Sequence, residues 1–224
     1  MLAGGNHNSE NSAKFEDARR NMVARQIRER GVRSPRVLAA MESVPRHLFV
    51  PADQVERAYE DEALPAGECQ TISQPYVVAA SIEALGLEGD ERVLEVGLGT
   101  GYQAAVLSLL AREVIAVETI PALAESARGR LARLGYANVR VEVRDGSGGF
   151  PEGAPFDAIL VAAAAPAVPQ PLVDQLAEGG RLVIPVGATD HQQLLRVVKS
   201  GDRTTEQELF ACRFVPLVGR YGWR

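Results

Sequence analysis

Residues 93–103, Val-Leu-Glu-Val-Gly-Leu-Gly-Thr-Gly-Tyr-Gln, decide the fold of this chain. The stretch begins as an apolar run with one acid, Glu95, and ends in glycines at alternate positions, Gly97, Gly99 and Gly101. Apolar runs of this kind form buried strands, and glycines let the backbone turn sharply and approach a ligand closely. The pattern predicts a strand that leads into a cofactor-binding loop, although a glycine-rich turn without a ligand has the same pattern.

The spacing of the glycines distinguishes between classes of cofactor. The dinucleotide fingerprint is G-x-G-x-x-G, in which a helix N-terminus faces a pyrophosphate. Here Tyr102 occupies the place of the third glycine, and Glu95 brings a carboxylate that repels a pyrophosphate. S-adenosylmethionine carries a sulfonium and an ammonium but no phosphate, so an acid beside the glycine loop suits this cofactor better.

Two further acids follow predicted strands. Residues 112–118 form a second apolar strand that ends in Glu118, and an acid at this point commonly accepts hydrogen bonds from ribose hydroxyls. A third strand, 139–143, is followed by Asp145 and Gly146. Glu118 also suits the N-terminus of the next helix, and an isolated aspartate is more often a turn former. Three strands that each deliver an acid to one sheet edge nevertheless favour a cofactor site.

The composition excludes several functional classes. With 224 residues, 46% of them hydrophobic, and a net charge of -5, the chain is large enough for one core and too acidic for bulk nucleic-acid binding. Cys69 and Cys212 lack metal-ligand spacing, so no metal site is expected. No apolar segment reaches the ~20 residues of a membrane span, and the N-terminus lacks the order of a signal peptide. We expect a cytoplasmic protein without membrane contact, with a flexible tail over residues 1–12.

Apolar segments alternate between strand-like and helix-like patterns from residue 91 on. Such alternation predicts a parallel sheet with right-handed crossovers and helices on both faces. Two strand-like runs near the C-terminus have no room for a helix between them, so we expect an antiparallel pair at one edge. The predicted strands are 91–97, 113–118, 138–144, 156–162, 181–186, 194–199 and 208–215, and the predicted helices are 102–111, 121–134 and 170–177.

The first 90 residues follow a different pattern. Helical stripes predict helices over 14–30 and 35–43, and a third over 77–85. Residues 46–74 show little periodicity, and a loop of this length in a compact domain is usually functional or unordered.

The string Gln70-Thr71-Ile72-Ser73-Gln74-Pro75-Tyr76 precedes the third helix. Its structural interpretation is a cap at Ser73 or Gln74, followed by Pro75 in the first turn. Together with the glycine loop, the string closely resembles the protein-L-isoaspartate O-methyltransferase family, in which Thr-Ile-Ser-Gln-Pro forms part of the active site. Six further strings extend the resemblance in the correct order over residues 20–218: 44–51, 58–59, 101–107, 134–139, 179–187 and 213–217.

The resemblance implies an α/β fold of the Rossmann-like S-adenosylmethionine-dependent methyltransferase type. Its mostly parallel, doubly wound sheet carries added N-terminal helices and a C-terminal antiparallel strand pair. We expect one domain over residues 13–224, divided into a helical and substrate-loop region (13–90), a cofactor-binding core (91–190), and a strand pair with a tail (191–224). The implied reaction methylates the free α-carboxylate of L-isoaspartyl residues in damaged proteins and peptides, and a monomer is expected.

The resemblance also assigns roles to individual residues. Ser73 orients the substrate carboxylate or the donor, and the backbone around Val215 pairs with the substrate peptide. No histidine is recognisably paired with Ser73, and His47 is expected to be structural. The implied cofactor contacts are Thr71 and Ile72 closing over the donor, Glu95 near its amino-acid portion, Gly97, Gly99 and Gly101 along it, Glu118 at the ribose, and Asp145 with Gly146 at the adenine.

Three positions depart from the family pattern, namely Cys69 for glycine, Leu98 for threonine or serine, and Arg144 for glycine. Cys69 and Cys212 would form a regulatory disulfide only if they approach each other, and a cytosolic setting favours free thiols. Two alternatives stay open. A small-molecule or nucleic-acid methyltransferase would share the core but not the string around Ser73, and an inactive donor-binding protein would share both.

Overall fold

The structure, a computed structural model of the chain, describes the backbone of residues 6–224 and the side chains from residue 12 on. Residues 1–5 of the predicted tail lie outside the described residues. The strands are β1 (Leu64–Gly67), β2 (Gln70–Ile72), β3 (Arg92–Val96), β4 (Glu113–Glu118), β5 (Val139–Val143), β6 (Phe156–Val161), β7 (Leu176–Gly187), β8 (Gln192–Ser200) and β9 (Arg203–Cys212). The helices are α1 (Asn6–Asn21), α2 (Pro35–Ser43), α3 (Pro75–Leu85), α4 (Tyr102–Ser108), α5 (Pro121–Arg133) and α6 (Gln170–Asp174).

Strands β3 to β9 form one seven-stranded sheet in the spatial order β5-β4-β3-β6-β7-β8-β9. The pairings among β3 to β7 are parallel, whereas β8 pairs antiparallel with both β7 and β9. The predicted α/β fold and its antiparallel edge are confirmed. The chain runs outward from β3 to β5 and then returns to β6 on the other side of β3, which places a topological switch point at the carboxyl end of β3.

Both faces of the sheet are covered, which explains why its strands are apolar runs. Val93 points into one core with α3 and α4, and its neighbour Leu94 points into a second core with α6. Parallel strands that are buried on both sides have this continuous apolar character. No helix in the described part of the chain is long and apolar enough to cross a membrane.

The structure differs from the sequence-based expectations at several places. Strand β7 begins at Leu176, inside the predicted helix 170–177 and before the predicted strand 181–186. Helix α1 begins at Asn6, so residues 6–12 are helical where a flexible tail is predicted, and a wider helical segment (Met22–Arg28) continues α1. The region 46–74 holds two short 3-10 turns and the β1–β2 hairpin. Strand β9 covers Arg203–Cys212 instead of the predicted 208–215. Its first half is exposed and therefore polar, so the apolar pattern does not reveal it.

The hairpin between β1 and β2 contains an unusual backbone conformation. Its two loop residues, Glu68 and Cys69, have φ angles of 50° and 57°. Two-residue loops with positive φ at both positions match the twist of a hairpin and favour Asn-Gly, since a left-handed residue with a β-carbon is strained. The strain of a β-carbon in this left-handed conformation explains why the family pattern has glycine at the position of Cys69. Both cysteines are free, Cys69 being exposed and Cys212 partly buried.

Cys69→Gly is expected to stabilise the protein. Glycine removes the strain of the left-handed conformation, and its greater freedom in the unfolded chain offsets part of the gain, which leaves about 0.5–1 kcal/mol. Urea unfolding would measure the free energy of unfolding. Cys69→Ala is the control because it removes the thiol and keeps the β-carbon, and equal stability of the two variants would contradict the strain.

Candidate functional site

A cavity of about 630 Å³ opens at the carboxyl ends of β3 and β4. Its walls include the glycine loop after β3, the end of β4, Gly146 after β5, the segment after β6, the junction of β2 with α3, and the chain around and after the end of β9. The predicted site residues on these walls are Thr71, Ile72, Ser73, Gly97, Gly99, Glu118, Gly146 and Val215. Glu95, Gly101 and Asp145 do not line the cavity.

The glycine loop turns sharply at each of its glycines. Gly97, Gly99 and Gly101 have φ angles of 90°, 53° and 86°, a region that favours glycine. The Gly97 nitrogen donates to the carbonyl of Val117 (2.9 Å), which holds the loop against the end of β4. Gly101 faces α5, where an added β-carbon would lie 3.4 Å from Leu131. Gly97 and Gly99 therefore line the cavity, while Gly101 shapes the loop from behind.

Glu118 joins the glycine loop to the next helix. One of its carboxylate oxygens accepts from the Gly99 nitrogen (2.9 Å) and the other from the Ile120 nitrogen (3.0 Å). Ile120 precedes the first residue of α5, so the helix-start and cavity-wall interpretations of Glu118 both describe the structure. The charged residues on the described walls are Arg30, Glu118 and Arg213, and an acid at the loop fits a cationic donor better than a pyrophosphate.

Glu95 lies inside β3, is fully buried and does not itself line the cavity, so its place near the amino-acid portion of the donor stays a prediction. Side chains at odd positions of β3 point towards α4, and there Glu95 Oε1 accepts from Gln103 Nε2 (3.0 Å). Its other oxygen has no hydrogen-bond partner among the described residues. Burial raises the pKa of the Glu95 carboxyl to about 8; the Gln103 hydrogen bond opposes this rise, and the Glu118 carboxylate adds to it.

The raised pKa of Glu95 makes stability depend on pH. In the unfolded chain a glutamate ionises near pH ~4, so between that pH and about 8 ionisation favours the unfolded chain increasingly. Glu95→Gln removes this penalty, and its gain in Tm over the parent is expected to be larger at pH 8 than at pH 5. Thermal unfolding at both pH values measures the difference in Tm between Glu95→Gln and the parent, with the exposed Glu125→Gln as the control. A difference in Tm that does not change with pH would contradict the buried, protonated state of Glu95.

Asp145 does not line the cavity, and its carboxylate is held by hydrogen bonds within the chain. One carboxylate oxygen accepts from the nitrogen (2.9 Å) and hydroxyl (2.7 Å) of Ser147, and the other accepts from the Arg220 nitrogen (2.8 Å). Burial alone would raise the pKa of Asp145, but these hydrogen bonds, of which the one from the Arg220 nitrogen lowers the pKa most, hold it below its usual value. The Asp145 side chain thus holds the C-terminal segment through Arg220. Its neighbour Gly146 contributes to the cavity wall, and a β-carbon there would come within 2.8 Å of Val96.

Ser73 is placed on the cavity wall, half-buried, directly before α3. The cap position of α3 belongs to Gln74, which makes no side-chain capping bond and instead donates to the carbonyl of Asp61 (2.9 Å). The cap interpretation of Ser73 is therefore wrong, and its hydroxyl is not used to begin the helix. His47 lies elsewhere, stacked on Phe15 with its ring nitrogen 2.7 Å from the Tyr59 hydroxyl oxygen, as expected of a structural histidine.

The chain after β9 closes the cavity by pairing with the segment that follows β6. Ala164 N donates to the Val215 carbonyl (2.8 Å), and Leu217 N donates to the Ala164 carbonyl (2.8 Å). The indole nitrogen of Trp223 donates to the same Ala164 carbonyl (3.0 Å). The Val215 carbonyl thus has one partner within the chain, and the pairing of the backbone around Val215 with a substrate strand stays a prediction.

Several wall residues are not predicted from the sequence. The Arg30 guanidinium lies 3.7 Å from the centre of the Tyr76 ring and pairs with Asp61 (2.7 Å), and Tyr76 packs on Phe210 at 5.7 Å. These contacts join segments far apart in the chain, so no local pattern reveals them. Gln103, the last residue of the stretch 93–103, also lines the cavity. Its position at the start of α4, directly after the glycine loop, is a sequence signal that could have identified it as a wall residue.

Comparison with known proteins decides the family. The family model described as protein-L-isoaspartate(D-aspartate) O-methyltransferase matches residues 17–222. The chain belongs to this family. Among curated members, the protein-L-isoaspartate O-methyltransferase of Methanoculleus marisnigri is 52% identical over 206 residues, covering 92% of this chain and 94% of the relative. That of Roseiflexus castenholzii is 54% identical over 209 residues, covering 93% and 95%.

Solved structures of the family agree with the fold. A protein-L-isoaspartate O-methyltransferase structure with 32% sequence identity superposes with a TM-score of 0.82 and covers 91% of this chain and 67% of its own. A Plasmodium falciparum homologue, solved in complex with S-adenosyl-L-homocysteine, is 25% identical with a TM-score of 0.76 and covers 88% and 96%. In the described part of this chain, no group of three or more His, Cys, Asp or Glu side chains is arranged to hold a metal ion.

Proposed function

We propose that this chain is a protein-L-isoaspartate O-methyltransferase that uses S-adenosylmethionine and acts on the free α-carboxylate of L-isoaspartyl residues in damaged proteins and peptides. The observation that carries the proposal is the position of Ser73 on the same cavity as Glu118 and the glycine loop. Family membership over residues 17–222 supports the activity, and the S-adenosyl-L-homocysteine complex of the Plasmodium relative supports the cofactor. The cavity volume of about 630 Å³ lies within the usual range for ligand sites.

The reaction requires positioning more than acid-base chemistry. S-adenosylmethionine supplies an electrophilic methyl group. A carboxylate with a pKa near ~4 is ionised at neutral pH, so no general base is required. One carboxylate oxygen forms a bond to the methyl carbon, the carbon–sulfur bond breaks, and its electron pair stays on the sulfur of S-adenosyl-L-homocysteine. The backbone nitrogen of the following residue then attacks the ester carbonyl and expels methanol. Water reopens the resulting succinimide partly to normal aspartate, which begins repair.

The cavity residues then take the following roles. Ser73 orients the substrate carboxylate, and Thr71 and Ile72 close over the donor from β2. Glu118 accepts hydrogen bonds from the ribose hydroxyls with the lone pairs that Gly99 and Ile120 leave free. The remaining contacts are Gly97 and Gly99 along the donor, Gly146 beside the adenine, and the backbone around Val215 along the substrate.

We further infer that residues 13–224 act as one domain and as a monomer in the cytoplasm, without nucleic acid. The larger core supports a single domain, since it contains Met22, Val93 and Leu194, one from each of the three predicted regions. The net charge of -5 supports the absence of a nucleic-acid partner. Size-exclusion chromatography with light scattering would test the oligomeric state.

Methyl transfer to a matched pair of peptides tests the function. The protein is incubated with methyl-labelled S-adenosylmethionine and a peptide that contains L-isoaspartate, or the same peptide with normal aspartate. Base-labile label on the isoaspartyl peptide alone is expected. Label on a small molecule or RNA instead would favour another methyltransferase, and donor binding without any transfer would identify an inactive binding protein.

A further inference from the structure

The ion pair of Arg30 and Asp61 lies beside the segment that carries Ser73. Arg30 lines the cavity, and its guanidinium donates to the Asp61 carboxylate at 2.7 Å. The two residues are 31 positions apart in the chain, and both side chains are partly exposed. An exposed pair of this kind contributes little to the stability of a fold, so its place at the cavity points to a local role.

Two contacts join this ion pair to the start of α3. The Asp61 carbonyl accepts a hydrogen bond from the side-chain nitrogen of Gln74 (2.9 Å), the residue directly after Ser73. The Arg30 guanidinium lies 3.7 Å from the centre of the Tyr76 ring, within the range of a cation–π interaction. Gln74 and Tyr76 are two residues apart, so the ion pair bridges two points of the chain immediately after Ser73.

The start of α3 depends on such contacts because it is not fixed by a cap. In the described part of the chain, Gln74 holds the cap position without a side-chain capping hydrogen bond. A cap satisfies a free backbone N–H group and fixes the first turn of a helix. Tyr76 also packs on Phe210 of β9, with 5.7 Å between the ring centres, which ties the same segment to the sheet. The direction of the chain at Ser73 is therefore set by side chains that hold the residues after it.

We propose that Arg30 and Asp61 are positioning residues, which hold Ser73 in the direction that orients the substrate carboxylate. The inference rests on the proposed function, because it assumes that the Ser73 hydroxyl contacts the substrate. Arg30 acts through Tyr76, and Asp61 acts through Gln74. Methyl transfer tolerates little misplacement of the reacting groups, so a loosened segment lowers turnover even when the hydroxyl is present.

Arg30→Ala tests the role in steady-state kinetics with an isoaspartyl peptide. We expect kcat to fall about tenfold, a smaller loss than for Ser73→Ala because the hydroxyl is kept. The Tm and the Kd for S-adenosyl-L-homocysteine should stay near those of the parent. Arg30→Lys keeps the charge beside Asp61 but loses the planar group that stacks on Tyr76, so an intermediate kcat is expected. Arg25→Ala is the matched control, because Arg25 pairs with Glu29 (2.9 Å) on the same N-terminal segment but does not line the cavity.

A double variant separates positioning from a direct or a structural role. In the Ser73→Ala background, Arg30→Ala should lower kcat no further, since the group that it positions is gone. A further tenfold loss there, or a raised KM with unchanged kcat in the single variant, would identify a direct substrate contact and overturn the inference. A fall in Tm together with weaker donor binding would overturn it as well, because it would indicate general support of the fold.

Asp61→Asn approaches the same contacts from the other side. It removes the ion pair and keeps the backbone carbonyl that Gln74 uses, and kcat is expected to fall several-fold with donor affinity unchanged. Parental kcat in both Arg30→Ala and Asp61→Asn, or in Ser73→Ala itself, would reject the positioning role. A parent protein that transfers no methyl group to the isoaspartyl peptide would instead reject the proposed function.

Discussion

Ser73→Ala is expected to lower turnover about 100-fold and to change donor affinity much less. The substrate carboxylate and the methyl carbon must meet in line, and loss of one orienting hydroxyl in such a reaction misplaces the reacting atoms by enough to produce this effect. The hydroxyl lies on the cavity wall and does not cap α3, so the substitution leaves the helix start intact. Steady-state kinetics with an isoaspartyl peptide give kcat, and calorimetry with S-adenosyl-L-homocysteine gives the donor-site affinity.

Ser43→Ala is the control for this substitution. The Ser43 hydroxyl bonds the Ala39 carbonyl (2.8 Å) on the exposed side of α2, away from the cavity. Its removal should leave both kcat and donor affinity unchanged. If Ser73→Ala turns over as fast as the parent, Ser73 has no part in positioning the substrate.

Glu118→Ala is expected to weaken donor binding by about 1–3 kcal/mol, which is roughly 5- to 150-fold in Kd. The change removes the proposed charged hydrogen bonds to the ribose. It also leaves the Gly99 and Ile120 nitrogens without their acceptor, which loosens the loop and the start of α5. Calorimetry with S-adenosyl-L-homocysteine measures the loss directly.

Two further variants separate these effects of Glu118. Glu118→Gln keeps one acceptor oxygen and loses the charge, so an intermediate loss of affinity is expected. Glu125→Ala removes an exposed acid of α5 that pairs with Arg128 and should bind the donor normally. Unchanged donor affinity in Glu118→Ala would reject the ribose contact.

Much of the core was predictable because local pattern and tertiary structure agree there. The strand before Gly97 and the strand that ends in Glu118 are apolar on both faces, so their sequence specifies a parallel sheet, and parallel strands bring their carboxyl ends to one edge. The position of Glu118 on the cavity follows from these facts alone. For Ser73 the family resemblance was needed, since the local pattern also suits a helix cap.

The remaining differences depend on the surroundings of each residue in the folded chain. Glu95 is two residues from Gly97, but the alternation of β3 turns its side chain under the sheet towards α4 rather than into the cavity. Asp145 follows its strand as predicted, yet Arg220, far along the chain, takes its carboxylate. The β1–β2 hairpin escaped prediction because Glu68 and Cys69 do not have the usual composition of a tight turn.

The Ala164 carbonyl accepts one hydrogen bond from Leu217 in the C-terminal segment and another from Trp223, the single tryptophan of the chain. The indole of Trp223 thus contacts the segment after β6, whose neighbouring residues Ala162 and Ala163 line the cavity. Emission from a lone indole depends on the polarity and order around it. We therefore expect the emission of Trp223 to report on the C-terminal wall in solution without any label, and a change of emission on adding a ligand tests this.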